Sequence, residues 1–246
     1  MRPRNRTHID DRMKLHLRVR ELGGTTLRIL TPRPGLDVRL ATNRFHGTWH
    51  ILSDRRGTQL LARLLWGLAF QRQPGTVILL DAPFMVPNPF DGDPSDPIVL
   101  VPWHLTGAKR SLMRALRDHR TRLGPSDRSV RWLTRGLDHS DYPPYHERWS
   151  TQQRFERSGG FLIYRADPVA LRCAALSVAA LDGETDYTYL TDDEGEVQIF
   201  ADFRRRLGEA ARARAALGLP QGRSPESLRE PVWARSLAER ARRCPE

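Results

Sequence analysis

Cysteine and lysine are both scarce in this chain of 246 residues, and their scarcity excludes several kinds of site. The two cysteines, Cys173 and Cys244, cannot form a disulfide framework or supply a zinc site by themselves. Almost every basic residue is arginine, because only Lys14 and Lys109 are lysines. Neither lysine lies beside a pair of carboxylates, which argues against nuclease sites built from carboxylates and a lysine.

Long apolar runs are also missing. No stretch of about 18 apolar residues occurs, so we expect no membrane-spanning helix and no membrane partner. The N-terminus is basic but leads into no apolar segment, which argues against a secretory signal. The simplest expected location is therefore the cytoplasm. The sequence does not indicate an oligomeric state.

Several well-known functional motifs are absent. The chain has no Gly-x4-Gly-Lys-Ser/Thr loop, which argues against that class of ATPase. It has no Gly-x-Gly-x-x-Gly fingerprint for a dinucleotide and no Gly-x-Ser-x-Gly nucleophile elbow. No zinc-finger spacing, basic-zipper heptad or RNA-recognition motif with interleaved aromatic residues occurs either. We therefore expect no cofactor.

The charged residues that are present are segregated along the chain. Residues 105–135 carry nine basic and two acidic side chains, whereas residues 136–202 carry five basic and thirteen acidic ones. The ends are basic as well, with a net charge of +5 over residues 1–20 and +6 over residues 203–246. The total of +11 favours attraction to nucleic acid or an anionic surface. The alternative is that the acidic and basic segments pair with each other in the folded protein.

Strand-like and helix-like segments alternate along the chain. Thr76–Asp81 and Ile98–Val101 are short apolar runs typical of central strands. The segment from Thr58 to Gln71 is apolar on every side, which predicts a buried helix with Thr58 as its cap. The alternation predicts a mixed α/β sheet flanked by helices, with an α+β arrangement as the alternative.

Turn residues and charge divide the chain into three segments. We interpret residues 1–20 as a basic N-terminal arm and residues 21–217 as a single mixed α/β domain. Residues 218–246 are predicted to form a C-terminal helical appendage, separated from the domain by glycine and proline. Within the domain, Asp167-Pro168 is typical of a helix start.

Residues 107–123 form the clearest amphipathic helix. Its apolar stripe includes His119, which indicates a core histidine. Arg110, Arg114 and Arg117 fall on the opposite side, where guanidinium groups on successive turns suit a row of phosphates. The alternative is a solvated or internally paired face. The candidate polyanion-binding residues are Lys109, Arg110, Arg114, Arg117, Arg120 and Arg122.

Two segments carry residues suited to catalysis. Asp81 ends a buried strand, and ligands of α/β sheets bind outside the carboxyl ends of strands, although such an aspartate is also an ordinary turn former. The loop 138–147 gathers carboxylates and histidines, which can act as general bases or metal ligands. Adjacent loop residues rarely point at one atom, however, and known triads come from distant positions. The catalytic candidates are Asp81, Asp138, His139, Asp141 and His146.

Two further groups resemble metal sites only in part. Asp91, Asp93 and Asp96 have the spacing of the beginning of a calcium loop, but no glutamate completes it, so turn formation is the better explanation. His46 and His50 lack the adjacent glutamate of the zincin pattern. We therefore expect no metal site.

The leading hypothesis is a non-enzymatic protein that binds nucleic acid or another polyanion through the arginine-rich helix. One alternative is a metal-assisted hydrolase acting on a phosphate-containing substrate, which requires Asp81 and the loop 138–147 to converge in one pocket. A second alternative is a protein-interaction module that uses its segregated acidic and basic surfaces.

Overall fold

The computed structural model describes residues 12–137, 152–191, 195–219, 222 and 226–243. This part of the chain forms an α/β fold of two mixed sheets with helices packed against them, as the alternating elements predict. The strands are Arg12–Leu22 (β1), Thr25–Pro32 (β2), Leu40–Phe45 (β3), Thr48–Ser53 (β4), Thr76–Leu80 (β5), Ile98–Pro102 (β6), Arg128–Leu133 (β7), Gln153–Ser158 (β8), Phe161–Ala166 (β9), Thr185–Tyr189 (β10) and Gly195–Phe200 (β11). The α helices are Arg55–Ala69 (α1), Arg110–His119 (α2), Pro168–Ala180 (α3), Phe203–Ala216 (α4) and Glu226–Arg243 (α5).

The larger sheet has seven strands in the order β7-β1-β2-β5-β6-β9-β8, and the smaller has four in the order β10-β11-β4-β3. The central strands β5 and β6 are buried along their whole length, as their apolar sequences predict. β5 is parallel to β2 and antiparallel to β6, which is parallel to β9. No described helix is both long and apolar enough to span a bilayer.

Apolar side chains cover one face of the larger sheet and part of the other. α1 and α3 pack together on one face, over a core that includes Leu15 and Ile78. α2 covers part of the other face with Leu112. Gly67 of α1 lies so close to Trp132 that a β-carbon there would come within 2.2 Å of the indole Cε3. Helix α1 therefore packs closely against the end of the sheet at β7.

Aspartates cap the N-termini of two of the core helices. Asp167 caps α3, and its carboxylate accepts two backbone N–H bonds of the first turn at 2.8 and 2.9 Å, as predicted. Asp54 caps α1 and accepts the N–H of Gly57 at 3.1 Å. The prediction that Thr58 caps this helix was wrong, because Thr58 lies one turn inside, where its hydroxyl donates to the carbonyl of Arg55.

Both ends of the described chain pack into the fold. β1 begins at Arg12, inside the segment interpreted as a basic arm, and lies between β7 and β2. At the other end, α5 packs against α4. Val232 of α5 is fully buried, and Arg240 donates to Glu209, which is 1% exposed, at 3.0 and 2.9 Å. A partly buried ion pair therefore links the C-terminal helix to α4.

Candidate functional site

Helix α2 presents a row of arginines to solvent. Its buried side packs Leu112 and Leu116 against the larger sheet. Arg110, Arg114 and Arg117, called the arginine row below, are exposed on the other side. The helical repeat predicts this placement, because residues three and four apart lie on the same face.

The residues that flank the arginine row differ in exposure. Lys109 and Arg122 are exposed, whereas Arg120 is partly buried and its Nε lies 3.6 Å from a carboxylate oxygen of Asp81. α2 ends at His119, and the next three residues continue as one 3₁₀ turn. His119 is exposed, so the interpretation of this residue as a core histidine was wrong. Its ring Nδ1 lies 2.9 Å from the carbonyl oxygen of Ala115, one turn back on the same helix, so the imidazole has its polar contact on the helix surface and not in the core.

Among the described residues, little negative charge lies next to the arginine row. Arg117 pairs with Asp118 at 2.9 Å, but the two side chains are 46% and 58% exposed. An exposed pair of this kind contributes about 0–1 kcal/mol and leaves the arginine open to solvent. Arg110 and Arg114 form no ion pair with any described carboxylate.

Most of the described carboxylates of the acidic segment 136–202 have partners away from α2. Asp167 caps α3. The ion pairs of this segment are Glu156 with Arg154 and Arg165, Asp182 with Arg55, Glu196 with His50, and Asp202 with Arg205 and Arg206. None of these pairs involves the arginine row. Within the described residues, the acidic segment therefore does not neutralise α2.

A second basic surface, which the sequence patterns above did not predict, lies on the larger sheet beside α2. The apolar residues of β1 face α1, so Lys14, His16 and Arg18 point to the side of α2. On β7, Trp132 faces α1, so Arg131 points to the side of α2 as well. These four basic residues, called the cationic sheet face below, are exposed or partly buried.

Strand register brings like charges together on this face. β1 and β7 are antiparallel, and Lys14 lies directly opposite Arg131. Like charges in this position destabilise a sheet. The signal that could have revealed the surface is the alternation of basic and apolar residues from Lys14 to Arg20, which is typical of a strand with one polar face.

Arg20 of β1 forms hydrogen bonds and an ion pair with the segment that follows α2. Its guanidinium donates to the carbonyl of Leu123 at 3.0 and 2.6 Å and pairs with Asp127 at 2.9 Å. Asp127 also accepts the backbone N–H of Val19 at 2.7 Å. That hydrogen bond, together with Arg20, lowers the pKa of Asp127 below its ordinary value. The arginine row and the cationic sheet face are therefore held on the same side of the sheet.

A recess of about 240 Å³ lies between the cationic sheet face and the end of α2. Asp81 follows β5, as predicted, and lines this recess together with His16, Arg18 and Arg120. Among the described residues, no group of three or more histidine, cysteine, aspartate or glutamate side chains is arranged to hold a metal ion.

The remaining catalytic candidates, Asp138, His139, Asp141 and His146, lie outside the described residues. The hydrolase hypothesis requires some of these groups beside Asp81, so it stays a prediction. The described neighbours of Asp81 are basic, and they suit binding of an anion better than binding of a metal.

A larger cleft of about 710 Å³ contains the aspartate-rich loop after β5. Two carboxylates of this loop form ion pairs with arginines. Asp93 pairs with Arg214 at 2.7 Å, and Asp96 pairs with Arg157 at 2.6 Å. Asp91 accepts the N–H of Asp93 at 2.9 Å, as expected for a turn-forming aspartate. Burial raises the pKa of Asp91 despite that hydrogen bond. These two arginines occupy carboxylate oxygens of Asp93 and Asp96 that a cation would need.

The described surface thus combines three neighbouring features on one side of the larger sheet: the arginine row, the cationic sheet face and the recess. Each carries more basic than acidic side chains. The function is inferred from these residues alone, since comparison of the chain with protein-family models, curated proteins and solved structures gave no match.

Proposed function

We propose that this protein binds nucleic acid or another polyanion through the arginine row and does not catalyse a reaction. The observation that carries the proposal is that Arg110 and Arg114 are exposed and pair with no described carboxylate. An exposed guanidinium can donate two parallel hydrogen bonds to a phosphate. The net charge of +11 adds long-range attraction for the same ligand.

The spacing of the arginine row suits a phosphate backbone. At about 1.5 Å of rise per residue, Arg110 and Arg114 are about 6 Å apart along the helix axis, and Arg114 and Arg117 about 4.5 Å. Side chains of this length can adjust to phosphates on neighbouring nucleotides. Such contacts fix the position of the nucleic acid and do not read its sequence.

The cationic sheet face supports the same proposal. Lys14 and Arg131 lie opposite each other and repel. A phosphate bound between them would relieve this repulsion. An anion at this face gains the attraction of both cations, while a neutral ligand gains nothing from them. The proposal therefore extends the interface from α2 to the edge of the sheet.

A salt titration of DNA and RNA binding tests the proposal. We expect the variant Arg110→Ala, Arg114→Ala, Arg117→Ala to flatten the dependence of log K on log salt concentration by about 0.9 for each phosphate that the protein no longer neutralises. With three such phosphates the slope changes by up to about 2.7. Binding is measured by fluorescence anisotropy at several salt concentrations.

The matched control removes three exposed arginines elsewhere, in the variant Arg39→Ala, Arg55→Ala, Arg235→Ala. It lowers the net charge by the same amount, so any effect of total charge appears in both variants. We expect the control to keep the wild-type slope. Equal slopes for the two variants, or an unchanged slope in the first, would contradict the proposal.

A further inference from the structure

We propose that the recess beside Asp81 binds a phosphate monoester, either the terminal phosphate of a nucleic-acid strand or the phosphate of a free nucleotide. In its first form the inference rests on the proposed function, because the terminal phosphate is then part of the bound polyanion. In its second form it is independent of the arginine row. The two sources share one chemistry, a dianionic phosphate with three terminal oxygens.

The first argument is the arrangement of donors. Arg18 is held in place by two hydrogen bonds, from Nε to the carbonyl of Gly124 at 2.9 Å and from Nη1 to the hydroxyl oxygen of Thr31 at 3.1 Å. Its Nη2 forms neither of these bonds. Because Thr31 accepts from Arg18, its hydroxyl proton can be donated to a ligand. A fixed guanidinium loses little conformational entropy when it binds an anion.

The second argument is the position of the recess in the fold. β2 and β5 are adjacent parallel strands, so their carboxyl ends meet at the same edge of the sheet. The recess lies at this edge and is lined by Thr31 from β2 and by Asp81, which follows β5. Ligands of open α/β sheets bind outside the carboxyl ends of strands.

The third argument is charge. The guanidinium groups of Arg18 and Arg120 line the recess against one carboxylate, that of Asp81, and the imidazole of His16 lines it as well. Asp81 is paired with Arg120 at 3.6 Å, which weakens its repulsion of an anion. Burial, together with Arg18 and Arg33, lowers the pKa of His16 below its ordinary value. The positive charges of Arg18 and Arg33 disfavour protonation of His16, which shows that the electrostatic potential at the recess is positive.

The fourth argument distinguishes a terminal phosphate from one inside a strand. Leu79 and Leu123 line the recess and are buried, so they close its floor with apolar side chains. A phosphate inside a strand has two ester bonds, and the strand would have to leave the recess in two directions. A phosphate monoester has only one ester bond, which can point to solvent while the three terminal oxygens point into the recess.

Isothermal titration calorimetry of the full-length protein with adenosine 5′-monophosphate tests the inference, with adenosine as the probe that lacks phosphate. We expect the nucleotide to bind and adenosine not to bind. Arg18→Gln should weaken binding at least about tenfold, because it removes a charge-assisted hydrogen bond while its amide can still donate to Gly124. Arg120→Gln provides a second variant at a partly exposed position.

Asp81→Asn is the most informative variant, because the two interpretations of this residue predict opposite signs. If the recess binds phosphate directly, loss of the carboxylate removes repulsion and tightens binding by about fivefold. If Asp81 holds a metal that recruits the phosphate, the same change weakens binding. Arg128→Gln is the matched control, since this exposed arginine lies on the opposite face of the sheet.

Oligonucleotides with and without a 5′-phosphate identify the source of the monoester. If the 5′-phosphorylated oligonucleotide binds more tightly than the unphosphorylated one, the ligand of the recess is the terminal phosphate of a strand. If the nucleotide binds but the two oligonucleotides bind equally, the ligand is a free nucleotide. The variant lacking the arginine row should keep its nucleotide affinity, so failure of the proposed function is distinguishable from failure of the recess. Absence of nucleotide binding, or identical affinities in wild type, Arg18→Gln and Arg120→Gln, would overturn the inference.

Discussion

Gly67 shows how one residue sets the packing of a helix on the sheet. A β-carbon at this position would lie 2.2 Å from Cε3 of Trp132, in the buried core between α1 and β7. We expect Gly67→Ala to lower the free energy of unfolding by about 1–3 kcal/mol, because the indole has to move. Urea denaturation measures this change.

Gly208→Ala is the control for this prediction. Gly208 also lies within a helix, but its added β-carbon would meet only the end of the flexible Arg212 side chain, at 3.3 Å. Alanine has the higher helix propensity by up to about 1 kcal/mol, so this variant should be as stable as the wild type or more stable. Equal stability of Gly67→Ala and the wild type would show that Trp132 does not pack as described.

The environment of single candidate residues also depends on neighbours that are distant in sequence. Asp81 follows a buried strand as its sequence context predicts, but its partner Arg120 could not be predicted, because the two are brought together only when α2 packs on the sheet. His119 illustrates the opposite case. Its position in the apolar stripe predicts burial, but its ring contacts the carbonyl of Ala115 on its own helix and stays exposed.

At the scale of elements, the start of α3 is set by its cap. The Asp167 carboxylate accepts two N–H bonds of the first turn and a third from the backbone of Gln152 at 2.8 Å. We expect Asp167→Ala to destabilise the protein by about 1–2 kcal/mol, since these donors lose their acceptor. Thermal unfolding followed by circular dichroism measures the loss.

Lys109→Ala is the matched control, because Lys109 precedes α2 in the same way but makes no capping hydrogen bond with its side chain. This variant should unfold like the wild type. If both substitutions had equal effects, the stability of α3 would not depend on the cap of Asp167.

Elements whose signals are local could be predicted, and surfaces that need long-range pairing could not. The Asp-Pro start of α3, the apolar strands β5 and β6, and the basic side of α2 all follow from residues close together in the sequence. The cationic sheet face needs β1 to pair with β7, more than a hundred residues away. Net charge alone gave no reason to place Lys14 opposite Arg131.

At the scale of the whole molecule, the partly buried carboxylates of Glu196 and Asp202 are among the groups that link stability to pH. Burial raises the pKa of Glu196, but hydrogen bonds from His50 and Gln198 outweigh it, and the net pKa lies below the ordinary value. The pKa of Asp202 is lowered in the same way, since two arginines of α4 outweigh its burial. A lowered pKa in the folded state means that the folded protein binds fewer protons than the unfolded chain.

We therefore expect full stability from these groups above about pH 4.5, the ordinary value for glutamate, and a loss as the pH falls through the lowered values. Urea denaturation from neutral to acidic pH measures this dependence. Glu196→Gln should be less stable at neutral pH and should lose less on acidification, because one of the two groups no longer titrates. An equally steep loss in this variant would contradict the assignment to Glu196.

The pairing of β1 with β7 has a consequence for the newly made chain. β1 can pair with β2 as soon as the hairpin emerges from the ribosome, but its other edge has to wait until residues 128–133 have been synthesised. At ordinary rates of translation this interval is on the order of 10 s. During it, one side of the first strand offers unpaired backbone groups to other nascent chains, and its lysine, histidine and arginines are the gatekeepers that discourage such contacts.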